Sequence, residues 1–296
     1  MSEARSAPPP VLPPELELAI FETAARACPP FVPTLMLVSK RVREWVEPIL
    51  YHTLIFGTTR AAAVLPTCPM EVFLEVAARK GHEFLRRAVK NVMAVEISGP
   101  DVRAILEVCS RVENLYIIWG NRLLGTLEMT SASLRHLHAP VLAMFDATLP
   151  NFRTHRTFQQ LTHLELLDLP FGFETAIAVC KAVLSIPSLT HFALNGDSEA
   201  DFDEMSQSNI YAELLRDDVA QKLLALVVLT PYEPTEQFIS ASDDVRFVAM
   251  RLSEYFSHWA MARLYPAEEF WTHVDTVIAR RRLTGDNSIQ PPARLS

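Results

Sequence analysis

An apolar pattern recurs along the middle of this chain and constrains the fold more than any other feature. Each copy has the spacing apolar-x-x-apolar-x-apolar, and the copies are Val92-Val95-Ile97, Val112-Leu115-Ile117, Leu134-Leu137-Ala139, Leu161-Leu164-Leu166, Leu189-Phe192-Leu194 and Leu223-Leu226-Val228. Their middle residues are 20, 22, 27, 28 and 34 positions apart. Periods of this length are typical of proteins in which similar structural units stack side by side.

The repeated segments and the segments between them have different periodicities. Each copy alternates apolar and polar residues, which indicates a β-strand with one buried face. The intervening segments include two with helical periodicity: Asp101 to Ser110, with Val102, Ile105, Leu106 and Cys109 on one face, and Glu174 to Leu184, with Ile177, Cys180, Lys181 and Leu184. Alternating strands and return helices predict an α/β chain with parallel strands. Leu54 with Phe56, and Val245-Val248-Met250, indicate further strands.

This pattern resembles an irregular leucine-rich-repeat array, whose units are about 20–29 residues long. The asparagine usual in such repeats is missing at most corners, so the array is degenerate. The resemblance implies a solenoid with parallel strands on its concave side and a cap at its open end. Two C-terminal helices, Leu252 to Arg263 and Ala267 to Arg282, are separated by Pro266 and carry Trp259, Phe270, Trp271, Val274 and Ile278. We expect these helices to fold over the open end as the cap.

The stretch from Leu12 to Tyr51 predicts two helices ahead of the repeats. Pro13 and Pro14 suit the first turn of a helix, whose N–H groups have no partner, and Pro29 with Pro30 ends that helix. One face of the first helix carries Leu16, Ala19, Ile20, Thr23 and Ala24. The second helix is predicted to begin near Thr34, with the apolar stripe Leu35, Val38, Val42, Trp45 and Val46, and Pro48 is expected to bend the chain into a short turn.

These residues resemble the F-box, in the variant common in mushroom-forming (basidiomycete) fungi. The resemblance rests on Leu12-Pro13, Glu15-Leu16, Ile20-Phe21, Leu37-Val38-Ser39-Lys40, Trp45, Pro48 and Leu50-Tyr51, and the proline-rich link ACPPFVPT departs from the usual pattern. It implies docking on the adaptor Skp1 within a cullin–RING (SCF-type) ubiquitin ligase. The docking face would comprise Leu12, Pro13, Leu16, Ile20, Leu37, Val38 and Trp45. From periodicity alone, the same helices are also compatible with a cap on the repeats.

Aligning the repeats places three histidines, His136, His163 and His191, at equivalent positions in successive units. Since neighbouring strands lie about 4.8 Å apart, their imidazoles are expected to stack as a ladder on the concave face. The same face is predicted to carry Glu96, Asn114, Tyr116, His138, Glu165 and Asn195, a mixture that favours binding of a protein target. The alternatives are a tolerated polar row that binds nothing and, less favoured for want of acidic or cysteine ligands at the same positions, a metal site.

The sequence lacks the motifs of the common enzyme classes. GxSxG, GxxxxGK, GxGxxG and HExxH are all missing, and the chain has only 8 glycines. The predicted protein is therefore not an enzyme and needs no cofactor. The carboxylate-rich stretch from Asp197 to Asn209 lacks the glycine and final glutamate of a calcium loop, so a solvated surface loop is expected.

Composition narrows the partners and the compartment. The net charge of −8, without a basic stripe, argues against nucleic-acid binding. Cys28, Cys68, Cys109 and Cys180 are too far apart for a zinc motif and are expected to be reduced, in the cytoplasm or nucleus. Neither a signal peptide nor a membrane span of about 20 apolar residues is predicted.

The predicted organisation has six segments. They are a disordered leader (1–10), an F-box-like head (11–57), a helical connector (58–88), the repeat array (89–252), a helical cap (253–283) and a disordered tail (284–296). Helices are predicted from Met70 to Lys80 and from His82 to Val89, at the end of the connector. The sequence therefore predicts either an adaptor that recruits a protein target to Skp1 or a stand-alone interaction scaffold.

Overall fold

A computed structural model of the chain describes residues 12–57, 66–118, 133–140, 149–167, 173–195, 210–216, 218–219, 221–230, 243–251, 255–264 and 269–287. The chain divides into two compact units, Met1–Tyr51 and His52–Ser296. The predicted leader, the start of the connector (58–65), the acidic stretch Asp197 to Asn209 and the tail from residue 288 onward lie outside the described residues.

The N-terminal unit is helical. It contains α1 (Pro14–Ala27), a 3-10 turn (Pro29–Phe31), α2 (Val32–Leu35) and α3 (Lys40–Leu50). Pro14 stands in the first turn of α1 beside Glu15 and Glu17, where negative charge complements the helix dipole. The core of the unit consists of Ala25, Val32, Val42 and Val46, against which Phe21, Leu35, Met36, Trp45 and Ile49 pack.

The predicted second helix is in fact two helices. Residues 36–38 form a turn, and the Ser39 side chain accepts a hydrogen bond from the backbone N–H of Val42 at 3.1 Å, which caps α3. Val38 therefore lies in the turn and is 58% exposed instead of joining the buried stripe. Pro48 lies within α3, which continues to Leu50, so the predicted bend at this proline is wrong.

The described part of the second unit forms an eight-stranded sheet in which every strand pairs in parallel with its neighbours in chain order. The strands are β1 (Thr53–Phe56), β2 (Asn91–Val95), β3 (Asn114–Ile118), β4 (His136–Ala139), β5 (His163–Leu166), β6 (His191–Asn195), β7 (Ala225–Thr230) and β8 (Phe247–Arg251). The sheet is not closed. The prediction of an α/β chain with parallel strands is confirmed. β1 belongs to this unit, whereas the predicted head extended to residue 57.

The described α-helices of the second unit are α4 (Met70–Lys80), α5 (His82–Ala88), α6 (Gly99–Val108), α7 (Phe173–Leu184), α8 (Tyr255–Leu264) and α9 (Phe270–Thr284). One face of the sheet is built from aliphatic and aromatic rows. The central row comprises the buried residues Leu54, Val92, Leu115, Leu137, Leu164, Phe192, Leu226 and Phe247. The Phe56 ring meets Phe73 of α4 edge-on at 5.4 Å, so α4 packs on this face.

The register of the first repeat differs from the prediction. Val92 pairs with Leu115, so the first copy of the pattern is Val89-Val92-Ala94 and the predicted copy began three residues late. The further strand Val245-Val248-Met250 was also predicted one residue late, because Phe247 and not Val248 pairs with Leu226. Both errors have the same cause. Strands buried on both faces are apolar throughout, so alternation no longer identifies which residues share a face.

Candidate functional sites

The N-terminal unit presents an apolar face to solvent. Leu12 is 48% exposed, Leu16 53%, Ile20 54%, Leu37 85% and Val38 58%. Leu16 and Ile20 are four residues apart, which places them on one side of α1. The same helix contributes Phe21 and Ala25 to the core of the unit. Helix α1 thus carries two apolar stripes, one buried within its own unit and one open, and an open stripe of this kind is typical of an interaction surface.

Six of the seven residues predicted to dock on Skp1 are exposed, since Pro13 is also exposed. Trp45 differs from the others. It packs against the core of the unit, and the Arg41 guanidinium lies over its ring at 5.2 Å from the centroid. Arg41 also forms an ion pair with Glu17 of α1, which ties the first and third helices together. Trp45 therefore supports the exposed face instead of forming part of it.

The second unit contains the histidine ladder, which we define as His136, His163 and His191. These residues occupy one register position on β4, β5 and β6, as predicted. Their ring centroids are 4.0 Å apart between His136 and His163 and 4.1 Å apart between His163 and His191. Threonine hydroxyls from the preceding position lie 2.8 Å from Nδ1 of His163 and of His191. The ladder is thus stacked and oriented by its own strands.

The same register row continues across the sheet as a chain of amide and hydroxyl groups. The Asn114 amide donates to Asn91 Oδ1 at 2.7 Å, and the Asn91 amide donates to Thr53 Oγ1 at 2.8 Å. Asn91 is only 2% exposed, and Asn114 is half-buried. Sequence reasoning missed Thr53 and Asn91 because the first repeat was aligned three residues late. The observed register brings both asparagines into line with His136.

The predicted exposure of this face is wrong. His138 is 3% exposed, Glu165 1%, Tyr116 2% and His191 6%. The C-terminal helices, which were predicted to cap the open end of the array, cover them. Trp271 of α9 meets the rings of His163 and His191 edge-on at 5.2 and 5.4 Å, and the Arg281 guanidinium donates to the Phe247 carbonyl at 2.5 Å. We call α8, Glu269 and α9 together the cover.

Apolar side chains explain why the cover lies here. On β6 to β8 the face carries small and aliphatic residues, and these pack against α9 in a cluster that includes Ala193, Val227, Val248, Trp271, Val274 and Ile278. On β1 to β3 a second cluster joins Ile55, Met93, Val95 and Tyr116 to Trp259 and Ala260 of α8. Two apolar patches on one sheet face are costly to leave in water, and two helices with aromatic faces bury them. The polar residues lie between these patches.

Two buried groups lie beside the ladder. His138 Nδ1 is 2.5 Å from Glu165 Oε2, and the His138 ring stacks on Tyr116 at 5.4 Å. His138 Nε2 and Glu165 Oε1 have no hydrogen-bond partner among the described residues. The adjoining cavity, also lined by Trp259, offers about 10 Å³ to the centre of a water molecule. This is about the space that one water needs, so the cavity is too small for a substrate.

Burial and neighbouring charges set the protonation of the ladder. Burial lowers the pKa of His163 to about 2, and the flanking His136 and His191 add to this effect. Burial also lowers the pKa of His136, although Glu269 opposes the shift. Burial disfavours ionised Glu269, but hydrogen bonding to His136 and the nearby Arg263 outweigh it and lower the pKa of that carboxyl to about 2. At neutral pH the middle of the ladder is therefore uncharged and Glu269 is an anion.

The remaining predicted residues lie at the margins of this face. Glu96 follows the end of β2 with a positive φ of 55° and is exposed, so it lies in a turn and not on the strand. Asn195 is the last residue of β6 and is half-buried. Among the described residues, no group of three or more histidine, cysteine or acidic side chains is placed to hold a metal ion. No helix in that part of the chain is long and apolar enough to cross a membrane.

Comparisons with known proteins found no match: neither a scan against protein-family models nor a search of curated proteins returned one.

Proposed function

We propose that this chain is a substrate-recruiting adaptor of a cullin–RING (SCF-type) ubiquitin ligase. Its N-terminal unit is an F-box-like head that binds Skp1, and its second unit is a degenerate leucine-rich-repeat solenoid that binds a protein target. The chain performs no covalent chemistry in this proposal. It contributes proximity, because holding a target beside a partner enzyme converts an encounter between separate molecules into one within a complex.

The exposed apolar face of α1 is the observation that carries the proposal. Leu16 and Ile20 are each more than half exposed, although the same helix contributes Ala25 to the buried core of the unit and packs Phe21 against it. Leu37 and Val38, from the turn before α3, add to the exposed apolar area. A docking surface must be free to meet its partner, and these are the residues that the F-box resemblance assigns to Skp1.

The sheet supports the repeat half of the proposal. Each strand pairs with the next in chain order, and Val92, Leu115, Leu137, Leu164 and Phe192 occupy one row at intervals of 22 to 28 residues. Intervals of this size match leucine-rich repeats of about 20–29 residues. Sequential parallel pairing of similar units is also the geometry of a solenoid.

Burial of His138, Glu165 and His191 changes where a target can bind. While the cover is in place, the nearly inaccessible His138 and Glu165 cannot contact another protein. We infer that the target binds elsewhere on the second unit or displaces the cover first. Glu96, which is exposed, is the predicted target-binding residue that stays accessible in either case.

The test is co-purification of Skp1 with the full chain. We expect wild type to retain Skp1 and the double variant Leu16→Asp with Ile20→Asp to lose it. The matched control is Val72→Asp with Leu74→Asp, because these residues of α4 are 47% and 50% exposed and belong to the other unit. Circular dichroism checks that all three chains are folded.

Two outcomes reject the proposal. Folded wild type that retains no Skp1 favours the stand-alone scaffold, in which the head serves only as a cap. Equal loss of Skp1 in the test and control variants shows that binding depends on general surface hydrophobicity and not on the α1 face.

A further inference from the structure

Two apolar clusters hold the cover on the sheet, and titratable side chains lie between these clusters. From the sheet, the polar side chains between the clusters are the ladder and the His138–Glu165 pair. From the cover, Arg263 and Glu269 form an ion pair that meets His136, and Glu269 Oε1 lies 3.5 Å from His136 Nδ1. Asp275 of α9 lies 3.0 Å from His191 Nε2, and His258 of α8 borders the cavity beside His138. Titratable side chains are seldom buried unless they are paired, so a cluster of them between two apolar patches is a candidate for function.

The three rings of the ladder are not equivalent. His136 and His191 each face a carboxylate of the cover, so a proton on either ring would meet a negative charge. Within the described residues, no carboxylate lies within ion-pair distance of His163. Its ring is stacked between two other imidazoles, and the edge of Trp271 closes it from above at 5.2 Å. His191 is buried and His136 and His163 are half-buried, so a proton on His163 would place a charge without a carboxylate partner in a largely enclosed stack.

We propose that the cover is an acid-released lid on the sheet face, and that protonation of His163 opens it. In the closed state His163 must be neutral to keep its place between its neighbours and Trp271. When the lid moves away, the ring reaches water and can bind a proton. Acid thus favours the open state, in which the ladder becomes a cationic strip suited to an acidic partner.

The direction of the pH effect follows from linkage. The pKa of His163 is lowered to about 2 in the closed state, whereas an open, solvated histidine titrates near its ordinary value. Between these values the open state binds more protons, so the closed state loses stability as the pH falls. At about pH 4.5, two units below a usual histidine pKa of about 6.5, the closed-to-open ratio falls by about 100-fold from this residue alone.

The groups around the ladder modulate this response. Glu269 stays ionised far into the acid range because its pKa is about 2, and it opposes only part of the lowering of the His136 pKa that burial causes. The partly exposed Asp275 lies 3.0 Å from His191 Nε2 and is a further negative charge beside the ladder. Arg263 offsets part of the negative charge of Glu269. His163, whose pKa is lowered to about 2 and which has no carboxylate at ion-pair distance among the described residues, is therefore the main sensor, and the lowered pKa of His136 adds to the same response.

Hydrogen exchange of the full chain, read by mass spectrometry between about pH 7 and about pH 4.5, tests the proposal. After correction for intrinsic exchange rates, amides of α8 and α9 should lose protection at a higher pH than those of β2 and β3. Simultaneous loss in the helices and strands would mean global unfolding and would reject a lid. Protected helices throughout the range would reject it as well.

Variants identify the sensor. His163→Gln keeps a polar side chain that cannot bind a proton, and it should reduce the expected loss of helix protection by more than tenfold at about pH 4.5. His82→Gln, at an exposed position in α5, is the matched control and should leave the profile unchanged. An unchanged profile in His163→Gln overturns the proposal.

If His163→Gln does not fold, Asp275→Asn provides an independent test at a residue that is 57% exposed. Removing this carboxylate weakens the contact between Asp275 Oδ1 and His191 Nε2 (3.0 Å), which joins α9 to the ladder, so the closed state should be less stable and the lid should open at a higher pH than in wild type. An opening pH that stays the same or falls contradicts the proposal.

Discussion

The two units use similar materials in opposite ways. The N-terminal unit leaves an apolar stripe of α1 in water, with Leu16 53% and Ile20 54% exposed. The second unit buries a polar row of its sheet, with His138 3% and Glu165 1% exposed. Residue type alone would assign the polar row to a partner and the apolar stripe to a core. The comparison teaches that exposure, set by what else the chain can pack there, decides which surface is free to bind.

Composition of the flanking residues explains the difference. The polar row is bordered on the sheet by Val95, Val227 and Val248, and burying these residues also buries the histidines between them. Burial of apolar area contributes about 25 cal/mol per Å², so two apolar clusters can offset the desolvation of a few hydrogen-bonded polar groups. In the described part of the N-terminal unit, no comparable apolar cluster borders the exposed stripe of α1, because Phe21 and Ala25 on the other side of the helix already contact the core of the unit.

The largest expected effect on stability is at the sheet face that the cover buries. Trp271→Ala removes a side chain that is 2% exposed and contacts the ladder and the β6–β8 cluster. We expect the free energy of unfolding of the second unit to fall by about 3–5 kcal/mol, measured by urea denaturation. Leu283→Ala, in the same helix but 86% exposed, should change it by less than about 0.5 kcal/mol. A small effect of Trp271→Ala would mean that the cover adds little to stability.

The next largest effect on stability tests whether His138 and Glu165 depend on each other as hydrogen-bond partners. His138→Leu removes one partner of a hydrogen bond between side chains that are both nearly inaccessible and leaves the Glu165 carboxyl without it. Breaking such a pair from one side costs about 3 kcal/mol, whereas replacing both members with apolar residues is often close to neutral. Urea denaturation should therefore find His138→Leu less stable than the double variant with Glu165→Leu. A double variant at least as unstable as the single one contradicts this account.

The sequence predicted the strands, their parallel order and the histidine stack, because a repeat with apolar period two carries that information locally. It misplaced the first repeat by three residues, since Val92 and Val95 are both buried but on opposite faces of β2. It missed the break between α2 and α3, although Ser39 is a good capping residue.

Burial of the ladder face could not be predicted from local sequence patterns. The aromatic residues of α8 and α9 were predicted to cap the open end of the array, but their position on the ladder face depends on the apolar rows of β6 to β8. Continuous apolar strands such as Ala225–Thr230 are the signal for burial on both faces. Glu269 and Asp275 then meet the ladder through tertiary packing alone, between residues more than eighty positions apart in the chain.

The smallest expected effect on stability is at the exposed apolar stripe of α1, and it completes the comparison between the two units. Leu16→Asp replaces an apolar side chain in the first turn of α1, where it is more than half exposed and where a negative charge complements the helix dipole. We expect thermal unfolding followed by circular dichroism to show a change in stability within about 0.5 kcal/mol. Val46→Asp, at a fully buried position of the same unit, is the contrasting variant and should destabilise it strongly.

The pair of variants separates docking from folding. An apolar residue whose loss leaves the fold intact is not needed for the packing of its own unit, and a contiguous exposed stripe of such residues is typical of a docking surface. If Leu16→Asp instead destabilises the N-terminal unit as much as Val46→Asp, then α1 has one buried stripe and not two. The two units would then follow the same rule, with each burying all the apolar surface that it has.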